Sequence, residues 1–238
     1  MYFLSKKHPR IKIFIVRTLY YAVSESTQKG VFYDNRNKFS GEIMQLKDSK
    51  TYQNLTNAFA GECMAMVRYR FVSYGAQQQG YKALAALVDD VIYNEFQHAR
   101  MLYTFIQSAD KGTLNNLPVN SGFPFKEKWN LLDNLKFAAD DEEAEVEIYS
   151  AFAKTAREEG FEDVAGLFEN LTQVESCHNK LFTQLYRQMK DGNMYKKPQP
   201  IKWKCGDCGY EATSKEAWVE CPVCQAKQGA VLIQINDR

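Results

Sequence analysis

The chain has 238 residues, of which 45% are apolar and 25% are charged, as in an ordinary soluble globular protein. This length accommodates one sizeable hydrophobic core together with a small second domain. No stretch reaches the roughly 18 uninterrupted apolar residues that a membrane-spanning helix requires, so we expect no membrane partner.

Residues 1–43 differ in charge from the rest of the chain. They contain eight Lys and Arg against three Asp and Glu, whereas the remaining residues contain 22 against 26. The mildly acidic body gives no reason to expect a nucleic-acid partner. The basic segment has no helical stripe and allows two interpretations. It is a targeting leader, or the start was assigned too far upstream and Met44 is the true first residue, which we favour because codons for Ser40-Gly41-Glu42 can form a purine-rich ribosome-binding stretch.

Four segments carry apolar residues at the spacing of amphipathic helices. The predicted helices span about 49–80, 81–108, 130–159 and 162–192. Glycines and prolines exclude a continuous helix over 110–128, so this segment is predicted to be the crossover between two helical hairpins. Residues 195–200 contain two prolines and are predicted to be a stiff extended linker. The predicted domains are thus an extension at 1–43, a helical domain at 44–194, the linker at 195–200 and a cysteine-containing domain at 201–238.

Three pairs of candidate metal ligands lie on three different predicted helices, each with a spacing of three residues. The pairs are Glu95 with His98, Glu142 with Glu145, and Glu175 with His178. Positions i and i+3 share one helix face, so each pair directs two side chains to one point. Glu62 on the first predicted helix adds a further carboxylate. This set is typical of a di-iron carboxylate site in a four-helix bundle, and its oxygen and imidazole ligands suit iron or manganese better than structural zinc.

The joint occurrence of these residues makes the prediction specific. The Glu-x-x-His pair alone is a modest signal, but it occurs twice and uses two of the three histidines in the chain. An isolated glutamate such as Glu62 is ordinarily a surface residue. The acidic run at 140–147 is mostly a solvated face. Packing several carboxylates together is unfavourable without cations, so metal loading is expected to stabilise the core.

A second metal site is predicted near the C-terminus. Cys205-x-x-Cys208 and Cys221-x-x-Cys224 are separated by twelve residues. Two such motifs place four thiolates tetrahedrally around one metal ion, and the spacing leaves both iron and zinc open. Because four of the six cysteines are used in this way, we expect no disulfide framework and a reducing, cytoplasmic setting.

At these residues the chain resembles the rubrerythrin family, over about Leu46 to Ile235. The segments that carry the resemblance are Asn57–Glu62 with Tyr69, Glu95–Ala99, Tyr149–Ala153, Ala156–Phe161, Glu175–His178, Trp203–Tyr210 and Cys221–Cys224. The resemblance implies an all-α, ferritin-like four-helix bundle with a small rubredoxin-like domain. It also implies a non-haem di-iron centre on the seven Glu and His ligands and one further iron on the four cysteines.

The resemblance further implies an activity, the reduction of hydrogen peroxide to water in the oxidative-stress defence of anaerobic or microaerophilic microbes. Electrons would come from a donor such as reduced rubredoxin, fed by an NADH-dependent reductase, and the rubredoxin-like iron would relay them. The residues expected to take part in catalysis are Glu62, Tyr69, His98, Glu145 and Tyr149. A homodimer or higher homo-oligomer is expected. Two alternatives are a ferritin-like protein that oxidises or stores iron, and a redox sensor whose cysteines form a zinc ribbon.

The third predicted helix is one residue shorter before Tyr149 than the family pattern. Counting from its N-terminal side selects Glu142 and Glu145 as the paired carboxylates. Counting back from Tyr149 selects Asp141 and Ala144 instead, and the first register is favoured because alanine cannot ligate a metal. The missing residue suggests that a π-bulge, a feature frequent at functional sites, is absent here.

The resemblance also implies that one iron exchanges a carboxylate for a histidine when the centre is reduced. In this chain the exchanging side chains would be Glu145 and His98. Ferric iron favours the anionic carboxylate, whereas ferrous iron, with one positive charge fewer, tolerates neutral imidazole.

Overall fold

The protein is described by a computed structural model over residues 44–109, 118–119 and 130–236. The predictions for residues 1–43, and for most of the predicted crossover, lie outside these described residues. The long helices are α1 (Lys50–Gln78), α2 (Lys82–Ala109), α3 (Leu131–Glu158) and α4 (Glu162–Lys190). They lie close to the four helices predicted from apolar spacing, and the predicted four-helix bundle is confirmed.

Each helical hairpin turns on a glycine with positive φ. Gly80 follows α1 and Gly160 follows α3, and both have φ of +85°. The backbone N–H of the residue after each glycine donates to a carbonyl oxygen in the last turn of the preceding helix. Tyr81 N donates to Ala76 O, and Phe161 N donates to Ala156 O, both at 2.8 Å. A side chain at either glycine would be strained in this conformation, so these residues end the helices and set the tight α1–α2 and α3–α4 turns.

The buried interior of the bundle consists of two apolar clusters separated by a polar layer. One cluster contains Leu84, Leu135 and Phe182, and the other contains Leu55 and Phe168. On each helix the apolar stripe stops at one cluster and resumes at the other. The side chains that interrupt the four stripes are Glu62 on α1, Glu95 and His98 on α2, Glu142 on α3, and Glu175 and His178 on α4.

The residues that follow α4 form a small β structure around the cysteines. Strands β1 (Lys196–Lys204) and β2 (Glu211–Glu216) pair antiparallel, with an irregularity in the pairing between Lys196 and Ile201. The segment predicted as an extended linker is therefore largely the first half of β1. A short 3₁₀ turn at Gln228–Ala230 follows the second cysteine pair. Residues 195–236 are called the cysteine module below.

A carboxylate from the α3–α4 turn caps the start of α1. Glu159 Oε2 accepts hydrogen bonds from the N–H and the hydroxyl of Thr51 at 2.8 and 2.6 Å, and Oε1 accepts one from Lys50 N at 3.1 Å. These N–H groups have no partner within the helix. Partial burial raises the pKa of Glu159, but the hydrogen bonds from Thr51 and Lys50 outweigh it and the net shift is downward. The cap therefore stabilises the fold fully above the ordinary carboxyl pKa and loses its effect as the pH falls through the lowered value.

We expect Glu159→Ala to destabilise the protein by about 1 kcal/mol at neutral pH, the usual cost of losing a helix N-cap. The matched control is Glu158→Ala, because Glu158 is 64% exposed and only approaches Lys154, at 3.9 Å. Such an exposed pair contributes little. At equal metal loading, Glu159→Ala should have a lower melting temperature than Glu158→Ala at pH 7. The difference between the two melting temperatures should be smaller near pH 3. Equal melting temperatures at pH 7 would contradict the capping role.

Candidate metal centre

The polar layer of the bundle is unusual because four glutamates and two histidines meet in it and all six are buried. Glu62, Glu95, Glu142 and Glu175 are each 0% exposed as whole residues. His98 and His178 lie among them and are nearly as buried. Burying several carboxylates without compensating cations is strongly unfavourable, so a layer of this composition calls for bound cations or bound protons.

The six side chains form two groups of four potential metal ligands. One group is Glu62, Glu95, His98 and Glu175, and the other is Glu95, Glu142, Glu175 and His178. Within each group one ligand atom per residue lies within 4.8 Å of the others. Glu95 and Glu175 belong to both groups, so their carboxylates are placed to bridge two neighbouring ions.

Both histidines direct the same ring nitrogen into this cluster. His98 Nδ1 lies 3.0 Å from Glu95 Oε2 and 3.2 Å from Glu175 Oε1. His178 Nδ1 lies 2.9 Å from Glu175 Oε2 and 3.1 Å from Glu95 Oε1. The arrangement is nearly symmetric, with one histidine for each ion. Asn94, adjacent to Glu95, brings its side-chain amide within 3.2 Å of the outer nitrogen of His178, where it can hold the ring orientation.

The oxygen atoms of the cluster test whether metal ions fit. Glu62 Oε2, Glu95 Oε1, Glu142 Oε2 and both oxygens of Glu175 are buried and accept no hydrogen bond. A buried acceptor without a partner is costly, and one bound cation on each side would satisfy these atoms. Carboxylate oxygens with one imidazole per ion are ligands that suit iron. The residues therefore fit a pair of iron ions.

The protonation of the cluster shows the same need for positive charge. Burial lowers the pKa of His98, but the close carboxylates of Glu175, Glu62 and Glu95 outweigh it and raise the pKa to about 12. Burial raises the pKa of Glu142 to about 8, against the opposing effect of the neighbouring His178 ring. Without metal the cluster therefore keeps protons at neutral pH, and metal binding must displace them.

Two buried tyrosines fix the outer carboxylates of the two groups. Tyr149 OH donates to Glu62 Oε1 at 2.6 Å, and Tyr69 OH donates to Glu142 Oε1 at 2.5 Å. The two bonds cross between α1 and α3 in opposite directions. Tyr69, one of the residues expected to take part in catalysis, thus bonds a carboxylate on α3 rather than Glu62 on its own helix. Each tyrosine occupies one carboxylate oxygen and leaves the other directed at the cluster.

Glu145 has a position of its own beside the cluster. It is half-buried and belongs to neither group of four ligands. Burial raises its pKa, followed by the charges of nearby carboxylates, Glu142 first. Of the two possible registers, the structure places Glu142 in the cluster, whereas Asp141 pairs with Arg68 Nη1 at 2.6 Å and Ala144 is exposed. The α3 helix, described along its whole length, is α-helical throughout.

The Arg68–Asp141 pair is a feature that sequence reasoning did not find. Its side chains are only 10% and 20% exposed, and it joins α1 to α3 one residue away from the Tyr69–Glu142 bond. Asp141 precedes the candidate ligand Glu142 in the sequence, but it could not be distinguished from the other acidic residues at 140–147.

The four predicted cysteines lie together in the cysteine module. Their sulfur atoms form one compact group, with 3.7 Å between Cys205 Sγ and Cys224 Sγ and 3.6 Å between Cys208 Sγ and Cys221 Sγ. Each Cys-x-x-Cys motif forms a tight turn. In each turn the backbone N–H of the residue after the second cysteine donates to the carbonyl oxygen of the first cysteine at 2.9 Å. Four thiolates so placed fit one tetrahedral metal ion.

Fold and site together define a ferritin-like carboxylate protein with a four-cysteine metal module. The sequence profile of the rubrerythrin family matches residues 53–131 and 133–205. The chain belongs to the rubrerythrin family, and this resemblance is confirmed.

Three individual proteins illustrate the relationship. Rubrerythrin of Clostridium perfringens is 36% identical over 183 residues, which cover 76% of this chain and 93% of that protein. A structure of nigerythrin in a partially reduced state aligns with a TM-score of 0.51 and 25% identity over 83% of this chain and 95% of that one. Desulfovibrio desulfuricans bacterioferritin, whose structure shows a diiron site, aligns with a TM-score of 0.50 and 26% identity over 60% and 81% of the two chains.

These similarities confirm the predicted ferritin-like fold with its small cysteine module. They also confirm the predicted di-iron cofactor, since the family is one of di-iron proteins and the Glu and His cluster fits iron, while the four-cysteine group is able to hold an iron ion as well. Within the part of the chain that the structure describes, no helix has the length and apolar content to cross a lipid bilayer.

Proposed function

We propose that this protein is a non-haem di-iron peroxidase that reduces hydrogen peroxide to water. The observation that carries the proposal is the sharing of Glu95 and Glu175 between two buried four-ligand groups. Two ferrous ions held side by side would supply the two electrons that the reduction of one peroxide requires. The remaining work, holding the ligands and excluding bulk water, falls to the side chains of the bundle.

The proposed catalytic side chains hold the outer carboxylates of the two ligand groups or exchange as metal ligands. Tyr149 and Tyr69 hold the outer carboxylates by hydrogen bonds of 2.6 and 2.5 Å, so that each carboxylate keeps one orientation. We propose that His98 and Glu145 exchange as ligands between the reduced and oxidised states. His98 lies within the first group and Glu145 outside both, the arrangement expected of the reduced centre.

The cysteine module is proposed to relay electrons one at a time. A single iron on four thiolates changes its charge by one, which suits a relay from an external donor to the di-iron centre. Family membership supports a donor such as reduced rubredoxin, supplied by an NADH-dependent reductase. Thiolate ligands need a reducing compartment, which supports a cytoplasmic location.

The activity is tested by mixing anaerobically reduced protein with peroxide or with oxygen in a stopped-flow instrument. We expect faster oxidation by peroxide. A Cys221→Ser, Cys224→Ser variant is the matched control, because it should keep the first oxidation by peroxide and lose steady-state turnover with a reduced donor. Oxidation by oxygen at an equal or higher rate would overturn the peroxidase proposal.

A second candidate function is iron oxidation or storage, which the structural similarity to bacterioferritin favours. The cysteine module argues against it, because a storage protein needs no one-electron relay. A third candidate, a redox sensor with a zinc ribbon, has the same four-thiolate geometry. Metal analysis separates it, since a ferric four-thiolate site is red and a zinc site is colourless. One zinc per chain, after expression with ample iron, would support the sensor.

We also propose that the protein forms a homo-oligomer through an aromatic face on α1 and α2. The large apolar side chains exposed on these helices are Val67, Phe71 and Tyr74, and Tyr93, Phe96 and Tyr103. They recur at intervals of three, four or seven residues, so each helix presents them on one face, and exposed apolar faces are typical of protein interfaces. Tyr93→Glu with Phe96→Glu should lower the mass measured by sedimentation. Val219→Glu, at an exposed apolar site in the cysteine module, should leave the mass unchanged. An unchanged mass in both variants would contradict this face.

A further inference from the structure

The cysteine module is fastened to one end of its own helical bundle. Ile233 packs into the bundle core. Gln184 on α4 makes two 2.8 Å hydrogen bonds to the backbone of Asn236, and one turn later Gln188 Nε2 donates to Gln234 O at 2.9 Å. Two glutamines on one helix face thus hold Gln234 and Asn236 by their backbones, while the alternating residues Ile233 and Ile235 pack against the bundle core.

A second contact joins the module to the α1–α2 turn. The backbone at Gly229 approaches Gly80 so closely that a Cβ on Gly229 would lie 1.7 Å from the Gly80 carbonyl oxygen. No side chain fits this gap, so an alanine at Gly229 would push the module away from the turn.

Beside this contact, a lysine of the bundle reaches the first cysteine motif. Lys82 is the first residue of α2, and its Nζ lies 2.5 Å from the carboxylate of Asp207, between Cys205 and Cys208. The pKa of Lys82 is raised, first by the hydrogen bond to Asp207 and also by the charges of Cys205 and Cys224. The ammonium group is therefore a positive charge that the bundle contributes to the surroundings of the four thiolates.

We propose that Lys82 raises the reduction potential of the iron bound by the four cysteines, and that this effect depends on the docking of the module on the bundle. The proposal rests on the proposed function, in which the module carries iron. An iron bound by four thiolates has a net charge of −1 when ferric and −2 when ferrous. A nearby positive charge stabilises the ferrous state more, whereas the Asp207 carboxylate opposes it.

The Lys82–Asp207 ion pair forms only when the cysteine module is docked on the bundle. Lys82 belongs to α2 and Asp207 to the cysteine module, so the ammonium lies near the thiolates only while Gly229 contacts Gly80. The side chains are 65% and 34% exposed, so the interaction is that of a surface pair and is screened by salt.

The test is a redox titration of the full-length, iron-loaded protein, followed by the absorbance of the four-thiolate iron. Lys82→Gln should lower the potential, with the ratio of reduced to oxidised iron at a fixed solution potential falling by about two- to fivefold, the size of an exposed charge pair. Asp207→Asn should raise the potential. Lys82→Arg should restore it, and the shift should shrink at high salt. Lys215→Gln, which removes an exposed lysine on β2 outside both cysteine motifs, should leave the potential unchanged.

Gly229→Ala separates the docking from the charge. It alters no charge, and it should shift the potential in the same direction as Lys82→Gln by displacing Asp207 from Lys82. A red, iron-containing module with the same potential in Lys82→Gln as in the unsubstituted protein would overturn this inference and leave the proposed relay intact. A colourless module containing zinc would overturn the relay and this inference together.

Discussion

His98→Ala is expected to weaken the binding of ferrous iron far more than the binding of ferric iron. His98 Nδ1 lies 3.0 to 3.5 Å from oxygens of three carboxylates, so the imidazole is placed to ligate an iron ion held by them. Even the loss of a group that orients a ligand reduces metal affinity or activity by roughly 10–100-fold, so the loss of the ligand should cost at least as much. Competition with a chelator under anaerobic conditions, and separately after oxidation, measures both states. Peroxide turnover should fall in parallel.

The opposite variant supplies the control. Glu145→Ala removes the carboxylate that lies outside both ligand groups, and it should weaken ferric binding while leaving ferrous binding close to that of the unsubstituted protein. If His98→Ala lost ferrous and ferric iron equally, the two side chains would not exchange. The segment before Tyr149, predicted to be one residue shorter than the family pattern, would then be the structural reason.

Removing iron from the bundle is expected to lower its stability by several kcal/mol. A ligand at a thousand times its dissociation constant stabilises the native state by about 4 kcal/mol. Four fully buried glutamates would lose their cations on chelation. Bound iron displaces protons from groups such as Glu142, whose pKa burial raises to about 8, so the stabilisation by iron should grow as the pH rises. Thermal unfolding followed by helical circular dichroism, at pH 6 and pH 8, measures the effect.

The stability measurement is made in the Cys221→Ser, Cys224→Ser double variant. In this variant metal binding by the cysteine module cannot contribute to the measured stability. Glu95→Ala in that background removes a ligand common to both groups and should abolish the dependence on iron. A metal-free bundle as stable as the iron-loaded one at pH 8 would show that protons alone compensate the buried carboxylates.

Much of this architecture follows from short-range patterns in the chain. The helices, the four-helix bundle and the side chains that enter its polar layer were predictable because period 3.6 and the i, i+3 spacing are local geometric rules. The four-cysteine group was predictable for a similar reason, since each motif is a single tight turn. Residues such as Glu95 and His98 therefore identified their own site before any contact between helices was known.

The contacts between helices could not be read from such patterns. Tyr69 bonds Glu142 rather than a carboxylate on its own helix, and Asp141 leaves the polar layer to pair with Arg68. Both outcomes depend on the rotation and axial shift of α3 against α1, which a one-residue difference alters by about 100° around the helix. The approach of Lys82 to the cysteine module depends likewise on how the bundle and the module pack together. Spacing along a helix is a property of one segment, whereas these pairings depend on the packing of segments distant in sequence.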